Sequence, residues 1–111
     1  MSVSVIDTDG YLYNAHGRPG HHVFGLDVLA RDALAAGVDV VWADLPPEQA
    51  AFCDCHHRRI VLALWLYWAW PWHLRAILCH ELAHAWVGPS EERAHWWAVR
   101  HYGDVDTIGV A

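Results

Sequence analysis

The chain has no lysine, only three cysteines, and no hydrophobic run long enough to cross a membrane. Its seven basic residues are all arginines, scattered along 111 residues, and the formal net charge is −6. Nucleic-acid binding needs a clustered basic stripe to neutralise phosphates, so a direct nucleic-acid partner is excluded from the expectation. Three cysteines cannot all pair within one chain, which argues against a disulfide framework and for reduced thiols. The opening "MSVSVIDTDG" lacks the basic and apolar regions of a secretory signal, and a cytoplasmic location is expected. The most apolar stretch, Ile60 to Trp72, falls short of the roughly 20 residues a spanning helix requires, and Pro71, His73 and Arg75 close it. No membrane partner is therefore expected.

Repeats, low-complexity tracts and long linkers are also missing, so one domain over residues 1–111 is expected, with a loop-rich segment over 1–22. What the chain does have is tryptophan, eight of them, and ten histidines. "NAHGRPGHH", Asn14 to His22, reads as a loop punctuated by Gly17, Pro19 and Gly20. Apolar positions Leu26, Leu29, Ala30, Ala33 and Leu34 recur at helical spacing between Val23 and Ala36, and Gly37 stops them. Val38 to Leu45 reads as a strand ended by Pro46 and Pro47. Ala51 to Cys55 and Arg59 to Leu64 read as the two arms of a hairpin. Pro71 opens a helix that Gly88 closes near Val87, and Ser90 caps a last helix reaching Tyr102. The predicted fold is α+β: a small, mostly antiparallel sheet of about three strands packed on three helices.

The chemistry concentrates in "LCHELAHAW", Leu78 to Trp86. His80 and His84 stand one helical turn apart on one face, so both imidazoles can address a single ion. Glu81, one step further round, is placed to serve a water on that ion as general base. A catalytic zinc also needs a third protein ligand and one open position. In "SEERAHWWAVRHYG" the candidates are Glu91, His95 and Glu92, with Ala94 and Ala98 small enough to let the two helices approach closely. Glu91 is the first choice. His95 and Tyr102 are alternatives as a ligand or as a donor to the transition state; His101, His73 and Tyr67 are further donor candidates. "CDCHH", Cys53 to His57, lacks the spacing of common structural zinc sites and reads as buried thiols beside an exposed hairpin tip. Cys79 points away from His80 and reads as core. Of Trp65, Tyr67, Trp68 and Trp70, at least half read as core filling, the others as walls of a peptide site along an edge near Ile60 to Leu64.

"RRIVLAL", "LRAILCHELAHAW" and "EERAHWWA" together resemble the ImmA/IrrE-type zinc metallopeptidases, a gluzincin-like family of phages, mobile elements and bacteria. The last stretch is similar to that family's E-x-x-A-N-x-F-A, with His95 where Asn is frequent. The resemblance implies a minimal zincin-like metalloprotease domain, one zinc per chain held by His80, His84 and Glu91, Glu81 as catalytic base, and a protein substrate such as a transcriptional repressor. Two other readings stand beside it. One is a zinc-containing, protease-like domain that binds a repressor or host factor without cutting it. The other is an SprT-type metalloprotease with a histidine as third ligand.

Overall fold

The computed structural model describes residues 5–103. Two small sheets and three α-helices make an α+β fold. Strands β1 (Tyr11–Tyr13) and β2 (Pro19–His22) form an antiparallel hairpin. Helix α1 (Leu26–Ala36) leads to β3 (Asp39–Ala43), then to the hairpin of β4 (Ala51–Asp54) and β5 (Arg59–Ala63). A 3-10 segment, Leu64–Trp68, precedes α2 (Pro71–Val87) and α3 (Glu91–Tyr102). Among the described residues no helix is long and apolar enough to cross a membrane.

The three-stranded sheet has the order β3-β5-β4, with β5 antiparallel to β4 but parallel to β3. The sheet is therefore mixed, which corrects the mostly antiparallel expectation. The reason lies in the loop from Asp44 to Ala50. It carries the chain past the width of one strand, about 4.8 Å, so that β5 folds back into the gap between its two predecessors. Nothing in the apolar pattern of a strand records such a skip.

A second correction concerns Asn14 to His22, expected as loop throughout. Its last four residues are β2, and the turn before them is built by Asn14, whose Oδ1 accepts from the backbone N–H of His16 and of Arg18. "PGHH" offers no apolar alternation, because this strand is fixed by main-chain pairing. Gly20 has a separate reason: a Cβ there would collide with the Tyr67 hydroxyl.

The core joins Leu12, Leu26, Leu29, Val40, Ile60, Leu62, Leu66, Leu74, Leu78 and Leu82, all fully buried. Helix α2 sits in the middle, against α1, α3 and β4. It buries Leu74, Leu78, Cys79, Leu82 and Ala83 but also Arg75, Glu81 and His84. A helix covered on several sides presents apolar residues all round, and its polar buried residues then need a reason. Arg75 has one: its guanidinium donates to the Phe24 carbonyl at 2.7 Å. Glu81 and His84 lead to the site.

Candidate metal centre

Helix α2 starts at Pro71, whose missing N–H is harmless in the first turn, and ends at Gly88. Helix α3 follows after a short turn, with the Ser90 side chain accepting from the Arg93 N–H. Ala83 of α2 packs on Ala94 and Ala98 of α3, all three at most 2% exposed. With only methyl groups between them the helices come close, and the first turn of α3 reaches the imidazoles of α2.

There, three side chains converge. His80 Nε2 lies 2.8 Å from Glu91 Oε2, His84 Nε2 lies 3.1 Å from Glu91 Oε1, and the two Nε2 atoms are 3.1 Å apart. Bonds of about 2.0–2.1 Å in a tetrahedral site put ligand atoms about 3.3 Å apart, so this triangle of side chains, in which Glu91 turns a different oxygen to each imidazole, is close to the spacing an ion requires. The Glu91 carboxylate is held below its usual pKa, first by the hydrogen bond from His80 and then by the charge of both histidines. Its side chain is 77% exposed, which leaves the outer side of the triangle open.

His84 is oriented from behind. Its Nδ1 lies 2.8 Å from the Gly88 carbonyl, which can only accept, so Nδ1 carries the proton and Nε2 is free to bind a metal. Gly88 has φ 90° and ψ −163°, a conformation open essentially to glycine alone. Gly88→Ala, with nothing in the way of the added methyl group, is expected to lower stability by about 1–3 kcal/mol for backbone reasons. It should also turn the carbonyl from His84 and weaken metal binding about 10–100-fold. Denaturant melts and metal titrations check the two effects separately.

Glu81 is 7% exposed, and its Oε2 is buried without a hydrogen-bond partner among the described residues. Burial pushes its pKa up, the charges of His84 and His80 pull it down, and Glu91 adds to the rise. A buried carboxylate oxygen without a partner costs about 1–3 kcal/mol, more when charged, unless something polar joins it. His80, Glu81 and His84 form a group that could hold a metal ion, their ligand atoms all lying within 4.8 Å of one another. Two carboxylates thus flank the imidazole pair. Glu91 makes the shorter contacts to both rings, while Glu81 lies deeper.

Two cavities flank Glu81. One, about 440 Å³, is walled by Ala50, Ala51, Ala76 and Ile77, with Glu48 and His73 also in its lining. The other, about 340 Å³, brings Phe52, Cys53 and Cys55 together with His84 and Glu91. Ala51 and Gln49 border both, so a cleft follows β4 across the site. The Ala63 N–H donates to the Ala50 carbonyl, and alternation along an antiparallel pair then turns the main-chain groups of Ala51 and Cys53 away from β5. The edge at the site is β4. An edge near Ile60 to Leu64 was expected, but Ile60 to Ala63 belong to β5, which is paired on both sides.

The other candidates lie elsewhere. The Tyr102 hydroxyl donates to Asp32 of α1 at 2.6 Å, and His101, stacked on Trp97, lies 3.7 Å from the same carboxylate. Tyr102→Phe should cost about 1–2 kcal/mol of stability by freeing α3 from α1, with metal content unchanged. A chemical melt alongside elemental analysis tests this. His95 is exposed and lies edge-on to Trp96, and Glu92 is exposed. Tyr67 is half-buried against Gly20 and His21, whereas His73 does line the cleft. The tryptophans run against expectation: Trp65 is 40% exposed, Trp70 68% and Trp68 83%, and only Tyr67 of the four packs on the core. Cys79 is fully buried, and burial pushes its thiol up to about 12. What the sequence reading missed is the placement of Cys53 and Cys55 in the wall of the cleft; their i, i+2 spacing in a strand was the available signal.

No protein-family model, curated protein or solved structure matches the chain.

Proposed function

We propose that this chain is a zinc-dependent metalloendopeptidase in which His80, His84 and Glu91 hold the metal and Glu81 is the catalytic base. The observation that carries the reading is the convergence of His80, His84 and Glu91, with contacts of 2.8–3.1 Å between each pair, beside a buried carboxylate oxygen with no partner among the described residues. Two imidazoles and one carboxylate suit zinc, and the exposed outer face leaves room for a substrate. When bound, zinc would act as a Lewis acid that acidifies a water molecule and polarises a peptide carbonyl.

The protein side chains would then divide the work. Glu81 would accept a proton at Oε2 and return it to the departing amine; its burial favours a carboxylate that readily takes a proton. His84 would be kept in one tautomer by Gly88. The substrate would lie extended along β4, where Ala51 offers main-chain groups and the two cavities receive side chains on either side of Glu81.

The similarity of "LRAILCHELAHAW" and "EERAHWWA" to ImmA/IrrE-type peptidases suggests a protein substrate of regulatory type, such as a transcriptional repressor. The first test is cleavage of a mixture of unstructured peptides by zinc-loaded protein. New termini that vanish with the Glu81→Gln variant support peptidase activity. An intact mixture, with zinc bound, sinks it and favours a domain that binds without cutting.

A further inference from the structure

Alternate side chains of an extended strand share one face, so Cys53 in β4 and Cys55 just beyond its end direct their sulfurs to the same side. The two Sγ atoms are 3.2 Å apart. Cys55 also directs its thiol at the His84 carbonyl, 3.6 Å away. Both cysteines line the cavity that contains Glu81, His84 and Glu91. Cys79, by contrast, is fully buried in the core. Two of the three thiols thus form a pair in the wall of the cleft.

A thiolate metal site is the less supported use of this pair. Among the described residues the group that could hold a metal ion is His80, Glu81 and His84, and it includes neither cysteine. The pair instead stands about 1 Å from the covalent S–S distance of about 2.05 Å. We propose that Cys53 and Cys55 are a redox modification site, closing to a reversible disulfide by exchange with a small disulfide such as oxidised glutathione.

The exchange balances in two displacements. Cys55, at the strand end beside the exposed turn residues His56 and His57, attacks one sulfur of the small disulfide as its thiolate. That S–S bond breaks, and the first small thiol leaves with the proton Cys55 gave up. Cys53 then attacks the Cys55 sulfur of the mixed disulfide, and the second small thiol departs with the Cys53 proton. Two protein thiols are oxidised to one disulfide, and the small disulfide is reduced to two thiols. Closure removes the thiol hydrogen that Cys55 directs at the His84 carbonyl and ties the end of β4 to its turn. The site stands on the sulfur geometry and does not depend on peptidase activity.

The experiment uses the whole 111-residue chain loaded with zinc, treated with excess oxidised glutathione, alkylated and digested after arginine. That cleavage leaves Cys53 and Cys55 in one peptide, 32–58, and Cys79 in another, 76–93. The expected result is a peptide 32–58 lighter by two hydrogens and free thiols falling from three to one, both reversed by dithiothreitol. Cys53→Ser should stop at a glutathione adduct on Cys55. Persistence of the adduct in the wild-type chain, retention of three free thiols, or recruitment of Cys79 would each overturn the proposal.

Discussion

Glu81→Gln is expected to lower kcat/KM for peptide cleavage by about 10²–10⁴-fold, the range for removing a general base, while the protein keeps its metal. The substitution preserves size and leaves a group that cannot take up a proton. Because Glu81 is 7% exposed and packed in the middle of α2, a near-isosteric change also limits disturbance of the helix. Folding should tolerate it well, since the wild-type Oε2 is already a buried oxygen without a partner among the described residues. Parallel measurement of turnover and zinc content decides the role. Loss of both would make Glu81 a ligand, and the shorter contacts of Glu91 would have misled us. Unchanged biological activity in a repressor-release assay, with cleavage gone, would instead reveal a binding protein.

The second large effect is on stability. An ion that binds the folded chain and not the unfolded one stabilises by about 4 kcal/mol when free metal exceeds its dissociation constant a thousandfold. A domain of this size loses about 4–8 °C in Tm per kcal/mol, so chelation should lower Tm by more than about 10 °C. The physical source is local. Without an ion, His80, His84 and Glu91 hold one another by hydrogen bonds alone, and an exposed pair such as His80 and Glu91 contributes at most about 1 kcal/mol. His84→Ala should therefore give a chain whose Tm no longer responds to zinc or chelator. A zinc-dependent Tm in that variant would place the ion elsewhere.

Much of what positions the site was legible because it is written in local chemistry. Pro71 and Gly88 bracket α2, Ser90 caps α3, and the four-residue spacing of His80 and His84 puts two imidazoles on one face. Ala94 and Ala98 announced the close approach of α3, and they are indeed buried against Ala83. What stayed hidden depends on partners distant in sequence. The parallel pairing of β3 with β5 is decided by where a loop crosses, and β2 is held by main-chain bonds to β1 that "PGHH" does not encode. Tyr102 finds Asp32 seventy positions away, which removes it from the centre. The Trp-rich segment misled for a different reason. Apolar composition argues for burial only where neighbours exist to cover it, and Trp68 and Trp70 stay 83% and 68% exposed.

The central claim is that an ion sits between α2 and α3, and elemental analysis of purified protein reaches it most directly. The account predicts about one zinc per chain after reconstitution, retained in His95→Ala and reduced to a small fraction in Glu91→Ala and His84→Ala. A wild-type chain that takes up no metal, or one that loses it with His95 and keeps it without Glu91, would contradict the account.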